Sequence, residues 1–295
     1  MATTEGLAAA LPAVAAPRAR WRLNLAAVRR SPLSLAGSAL VVLFVLMAAL
    51  APMLAPYAPE DQIAKRLSPP QAAYWLGTDE FGRDILSRIV FGARISLWVG
   101  VIAVGIALAG GATTGLVSGY FGGRLDILLM RVMDVMFSLP PIILAITLTG
   151  ILGPGLTNAM VAIGLVYLPT FARLARGPVL TVSAQEYVEA ARAAGAGAGR
   201  IIGLHVLPNV AAPLIVQTTL ALSTAILAEA TLSFLGLGIQ PPEPSWGTML
   251  GTGRKYMELA PWVAIFPGAA VMLLVLGFNL LGDGLRDVLD PRLRP

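Results

Sequence analysis

The sequence holds no cysteine, one histidine and two lysines among its 295 residues. Without cysteine it has no disulfide, thiolate metal site or cysteine nucleophile. A single histidine rules out an H-E-x-x-H zinc site, and no G-K-[ST] phosphate loop or G-x-S-x-G elbow is present. Charge is scarce as well: 13 % of residues are charged and 57 % hydrophobic, where soluble domains carry about 25 % and about 45–50 %. A chain of this composition cannot bury its apolar surface in a water-soluble core. With five Trp and a formal charge of +5, it reads as a membrane protein with basic cytoplasmic edges.

Crossing about 30 Å of hydrocarbon takes roughly 20 mostly apolar helical residues. Six stretches qualify, near 35–55, 95–118, 125–150, 157–175, 211–233 and 262–281. A barrel would need alternating ten-residue strands, and runs such as Leu40 to Leu50 do not alternate. The expected fold is therefore an all-α integral membrane protein of six transmembrane helices. Residues 1–34 are assigned to a cytoplasmic tail, Ala-rich over 1–16, with a short interfacial helix around Trp21; the transmembrane domain takes 35–295. Arg29, Arg30 and the Ala49-Leu50-Ala51 triplet imitate a signal peptide. The apolar run is too long for one, the basic region lies some 30 residues in, and Pro52 would follow the cleavage point, so the segment is read as uncleaved.

Lysine and arginine set the orientation. With both termini in the cytoplasm, 14 of the 21 basic residues fall inside, among them Arg124, Arg173, Arg176, Arg192 and Arg200. The outside loops keep seven bases, matched by seven acids.

Three connections carry more than loop chemistry. The first, about 56–94 and outside, includes Leu76-Gly-Thr-Asp-Glu-Phe-Gly-Arg-Asp-Ile-Leu-Ser-Arg88. Asp84 and Arg88 are spaced for an i,i+4 pair, and Ile85, Leu86, Ile89 and Val90 mark one helical face. This fits an amphipathic helix lying on the outer leaflet or a neighbouring chain; it also fits direct contact with a substrate or donor protein through Asp79, Arg83, Asp84 and Arg88. The second, about 176–210 and cytoplasmic, has a helix expected over 184–194, with acids in its first turn, which Gly195 terminates. Its alanines leave a nearly bare backbone for another protein to approach, and a structured loop of this length reads as a docking element. Gly195, Gly197 and Gly199 do not form a dinucleotide fingerprint, because Arg200 fills the last position. His205 has no second His or Cys to share a metal and is read as a loop histidine bonded to backbone. The third, 231–247, is broken by Gly236, Gly238, Pro241, Pro242 and Pro244 and is expected as a re-entrant or capping element at a cavity mouth.

Ionisable groups at membrane depth are costly and turn inward. Arg131 and Asp134 are spaced i,i+3 for an internal ion pair beside Asp126. Glu229 has no base one turn away, which leaves a pathway-facing role or pairing with another subunit. Asn279 is placed to hydrogen-bond across helices, and Ala107, Gly111, Gly115 and Gly119 form a small-residue packing stripe.

These residues resemble a known family. Glu189-Ala190-Ala191, Gly195 four positions on, and His205-Val-Leu207-Pro208 fit the "EAA" motif of importer permeases, with His where Ile is often seen. Leu76 to Arg88, Ser233 to Met249, and the tail from Asn279 to Arg294 with Gly282-Asp-Gly-Leu-Arg-Asp and Asp290-Pro-Arg fit the second permease of the dipeptide, oligopeptide and nickel group of ATP-binding-cassette importers. The resemblance covers about 20–295. It implies a type I importer permease fold whose cytoplasmic coupling helix is held by Glu189, Ala190, Ala191, Gly195, Leu207 and Pro208. It implies a heterodimer with a related permease in a bacterial cytoplasmic membrane, two ATPases that carry the ATP and Mg, and an extracytoplasmic solute-binding protein. It implies no cofactor or enzymatic activity on this chain and no nucleic acid. Nickel, glutathione, an opine or an antimicrobial peptide are rival cargoes to dipeptides and oligopeptides. A proton-coupled carrier relaying through Asp134 and Glu229 is the rival of another class, and it leaves the coupling loop without a purpose.

Overall fold

The computed structural model describes residues 32–289. The Trp21 interfacial helix, the Ala-rich segment and the Asp290-Pro-Arg motif lie outside these residues. Nine helices organise the described chain: α1 (Pro32–Ala49), α2 (Ile85–Phe121), α3 (Gly123–Phe137), α4 (Pro141–Leu152), α5 (Leu156–Ser183), α6 (Glu186–Ala193), α7 (Leu207–Phe234), α8 (Trp246–Gly253) and α9 (Trp262–Leu289). Short turns fill Ala51–Leu54 and Ala198–Ile201, with a π-helical turn at Ile202–Val206. No strand occurs among the described residues; three isolated bridges order the 62–84 segment. Five helices are long and apolar enough to span a bilayer, and the α3–α4 pair supplies a sixth crossing bent by 91°.

Three expected spans change shape. The second begins at Ile85, ten residues before its expected start, and its 37 residues reach about 55 Å at 1.5 Å per residue. Asp84 starts it by accepting the backbone N–H of Ser87 at 2.7 Å. Ile85, Ile89 and Val90 are therefore buried in the first turns of a spanning helix, with Leu86 half-buried, and do not form a separate amphipathic helix on the leaflet. The third is broken, because Pro140 and Pro141 bring no backbone N–H to continue the ladder. The fourth extends to Ser183, and helix resumes at Ala198. The connection expected at 176–210 thus shrinks to 184–197.

Small residues set the main packing. α2 and α5 run side by side in parallel: a Cβ on Gly111 would stand 2.4 Å from the Leu168 carbonyl oxygen, and one on Gly115 2.3 Å from that of Ala172. The expected stripe is this interface. A second apolar core joins α1, the start of α2, α8 and α9 around Trp246. The Trp246 ring is fully buried against Gly92, donates Nε1–H to the Ile89 carbonyl at 3.0 Å, and meets Phe44 edge-on at 5.7 Å. Ser223 Oγ donates to Asn279 Oδ1 at 2.7 Å, so Asn279 does bond across helices, from α9 to α7. One end of the bundle carries residues 56–84 and 236–261; the opposite end carries the α2–α3 corner and α6.

Candidate functional site

At the α6 end, local sequence chemistry shapes a short helical element. α6 spans 186–193 rather than 184–194, with Glu186 and Glu189 in its first turn and Arg192 in its last, each on the side the helix dipole favours. Gly195 then takes φ +82°, a left-handed conformation natural to glycine. Val188 is fully buried and anchors the helix together with Ile201 and Val206, both also fully buried. Tyr187 and Ala191 are half-buried, whereas Glu189, Ala190, Ala193, Ala194 and Gly195 are exposed. The bare face therefore runs through Glu189 and Ala190, and Ala191 sits at its edge. Leu207 is exposed and Pro208 half-buried on the first turn of α7, so the motif residues do gather at one end. His205 turns its ring toward Tyr187, centroids 6.1 Å apart, and its carbonyl accepts Asn209 Nδ2 at 2.6 Å. Arg192 lies over the Tyr120 ring at 5.6 Å, joining α6 to the end of α2.

At the other end, Asp79, Arg83, Asp84 and Arg88 form one cluster, with partners that differ from those expected. Asp84 and Arg88 are not paired. The Asp84 carboxylate accepts Ser87 N–H and Oγ–H at 2.7 Å each, while Arg88 lies 3.5 Å from Asp79 Oδ2 and donates to the Pro59 carbonyl at 2.8 Å. Arg83 Nε donates to Asp79 Oδ2 at 2.7 Å, and the Asp79 Oδ1 accepts Phe81 N–H and Arg83 N–H. The N-cap captures Asp84 because a helix start offers N–H groups with no other partner. Burial raises the Glu80 carboxyl above its ordinary pKa, and the negative charge of Asp79 adds to the shift.

The charges within the spans pair between helices. Asp134 binds Arg173 at 2.7 Å, both about half exposed, so the expected Arg131–Asp134 pair is replaced by an α3–α5 bridge. Arg173 also stacks over Phe137 at 4.1 Å. Asp126 accepts two bonds from Arg176, each 2.6 Å, and a third from Ser118 Oγ. These partners stand 39 and 50 residues away along the chain, beyond any helical spacing rule. Glu229, expected to face a pathway or another subunit, is 1 % exposed inside this chain, accepting Ser233 Oγ–H at 2.7 Å and Ser96 Oγ–H at 3.4 Å. Serines of α2 and α7 enclose it, and a serine carries no sequence signal of that role. Among the described residues, no group of three His, Cys, Asp or Glu could hold a metal ion.

Comparison with known proteins places this geometry. A family model described as the binding-protein-dependent transport system inner membrane component matches residues 111–295, and one described as the N-terminal TM domain of oligopeptide transport permease C matches residues 19–70. The chain is 49 % identical to the dipeptide transport system permease protein DppC of Alkalihalophilus pseudofirmus, over 93 % of this chain and 90 % of that one. It is 50 % identical to the di/tripeptide transport system permease protein DppC of Pseudomonas aeruginosa, over 88 % of each. It is 44 % identical to the glutathione transport system permease protein GsiD of Pectobacterium atrosepticum, over 94 % and 93 %. Among solved structures, an inward-facing chain of the MetNI methionine ABC transporter shares the fold, with TM-score 0.57 and 21 % identity over 69 % of this chain and 97 % of that one.

Proposed function

This chain belongs to the family of binding-protein-dependent transport system inner membrane components, and from that premise we propose that it is the second permease of an ATP-driven importer of small peptides. The observation that carries the reading is the α6 end: a short Ala-rich helix, pinned from beneath by Val188, with Glu189, Ala190 and Gly195 outward. Relatives named for dipeptides, di/tripeptides and glutathione share short peptides as cargo. The basic residues favour the α6 end as cytoplasmic and the 56–84 end as outer.

In this reading α6 sits in a groove of one of two ATPases, and a related permease completes the pathway across the membrane. ATP and Mg bind on those ATPases. Their closure moves the groove, and α6 follows it. Val188 and the continuous helix from Ala198 to Phe234 pass the displacement to α5 and α7. Arg192 on Tyr120 passes part of it to α2. The bundle alternates between inward and outward access, and the solute-binding protein delivers cargo at the outer end. Asp134 stands on a half-exposed surface and remains a candidate to meet the pathway; the enclosed Glu229 is withdrawn from that role.

Reconstitution tests this reading. The chain, its companion permease, the ATPases and the binding protein in liposomes should take up a labelled dipeptide only with ATP inside. Uptake driven by a pH gradient without ATPases would replace the proposal with a secondary carrier.

A further inference from the structure

Two ion pairs fix how α3 lies on α5. Asp126 and Asp134, eight residues apart, bind Arg176 and Arg173, which are only three residues apart. At 1.5 Å per residue those separations are about 12 Å on α3 and about 4.5 Å on α5, so α3 crosses α5 steeply. α4 instead runs along α5 in the opposite direction: Pro141 lines a recess with Tyr167, and the Leu152 carbonyl accepts Asn158 Nδ2 at 2.8 Å. The 91° bend between α3 and α4 agrees with that crossing. Arg173 stands 17 residues beyond Leu156, the first residue of α5. That is about 26 Å along the helix, against roughly 30 Å of hydrocarbon.

The composition of α3 suits a helix at that level. At about 100° per residue, Leu125, Leu128, Val132 and Val135 fall in one quadrant, each 42–70 % exposed. Arg124 and Arg131, seven residues apart, border that quadrant and are exposed. Both acids of α3 are engaged by the arginines of α5, whereas neither Arg124 nor Arg131 makes an ion pair among the described residues. The helix therefore turns outward two uncompensated positive charges beside a strip of aliphatic surface. The coupling mechanism makes no use of either.

We infer that α3 lies in the plane of the bilayer surface and binds anionic phospholipid, with Arg124 and Arg131 on the headgroup phosphates and the aliphatic quadrant among the acyl chains. Arginine reaches headgroups readily from an apolar helix face, because its stem packs on hydrocarbon while the guanidinium stays at the polar boundary. Lipid is favoured over the companion permease as the occupant. The uncompensated charges are of one sign, and the quadrant holds no Tyr or Trp of the kind that anchors protein interfaces. The inference rests on the importer reading only for the leaflet, which that reading makes the cytoplasmic one, where anionic lipids attract basic residues.

The test exploits the absence of cysteine. Val132→Cys, labelled with bimane in the assembled transporter, is placed in nanodiscs that contain brominated phosphatidylglycerol or brominated phosphatidylcholine at equal mole fraction. Phosphatidylglycerol should quench the label preferentially. Arg124→Gln and Arg131→Gln should each lower that preference about 5-fold, and salt should lower it in the parent. Neither arginine is paired, so assembly should be retained; Leu128→Cys serves as the reporter if Val132→Cys assembles poorly. Equal quenching by the two lipids, unaltered by the arginine variants, overturns the inference. Protection from both lipids also overturns it, because the companion permease would then cover the face. Nanodiscs carry the anionic lipid in both leaflets, so the result does not depend on orientation. Failure of the importer reading looks different: no ATPase would co-purify even with the wild-type chain.

Discussion

Arg176 on α5 holds Asp126 in the first turn of α3 through two parallel N–H···O bonds of 2.6 Å. Ser118 near the end of α2 adds a third bond to the same carboxylate, so one acid ties three helices together. Asp126 also sits where the α3 dipole favours an anion. In the mechanism proposed above, this bridge is the link through which a displacement of α6 and α5 would reach the broken third crossing.

Breaking it should therefore cost stability and coupling together. Asp126→Ala should lower stability by about 1–2 kcal/mol, less than a fully buried pair because Arg176 is a third exposed. Thermal melting of the purified assembly measures this. The Asp126→Arg/Arg176→Asp exchange should recover part of the loss; no recovery would mean that the pair acts through packing alone.

The α2–α5 stripe predicts an asymmetry between glycines of one helix. Gly115→Val should abolish folded yield, since its Cβ would meet the Ala172 carbonyl at 2.3 Å and backbone cannot yield cheaply. Gly105→Ala, with nothing within 4 Å of its Cβ, should leave yield unchanged or slightly raised. Size-exclusion profiles of the two variants decide it.

A substitution at Gly195 should separate docking from folding. Nothing lies within 4 Å of a Cβ there, so Gly195→Trp costs only the left-handed backbone, about 1 kcal/mol. Yield should be retained while binding-protein-stimulated ATPase activity no longer drives uptake. Gly195→Asn, which tolerates positive φ, should transport normally. Wild-type uptake by the Trp variant would refute a docking role for this turn.

Glu229 is expected to hold structure and not cargo. Glu229→Gln keeps an acceptor for Ser233 and should leave peptide affinity unchanged. Glu229→Leu leaves the hydroxyls of Ser96 and Ser233 without their partner and should cost about 1–3 kcal/mol. A changed apparent affinity in the Gln variant, at normal yield, would return Glu229 to the pathway.

Glu80 gives a pH prediction with a definite sign. Its folded pKa is raised by burial and by Asp79, so the folded state binds the proton more tightly than the unfolded state does. The resulting penalty is absent below the unfolded pKa, grows as pH rises through the folded pKa, and is fully present above it. Glu80→Gln should flatten stability across that window and raise it at neutral pH. A variant less stable at neutral pH would show that Arg83 satisfies Glu80 after all.

Much of this was legible in the sequence because the bilayer leaves few choices. Six crossings, the glycine stripe, the Gly195 stop and the α6 motif follow from apolar run length, four-residue spacing and backbone conformation. The bend at Pro140–Pro141 carried a visible signal, two residues without N–H, that the long apolar run concealed. The ion partners carried none: Arg173 and Arg176 read as cytoplasmic edge charges until the α2–α5 packing brought them against α3. Asp84 misled for a local reason. The helix begins beside it, and the unpaired N–H of Ser87 competes for its carboxylate ahead of Arg88.

The central claim is that the outward face of α6 docks on an ATPase, and the absence of cysteine makes it directly measurable. A single cysteine at Ala190, on the exposed face, would be paired with single cysteines along the ATPase groove in the co-expressed complex. A disulfide whose yield changes when ATP binds is the result this account predicts. An assembled complex that forms no such cross-link at Ala190, but forms one elsewhere on the chain, would contradict it.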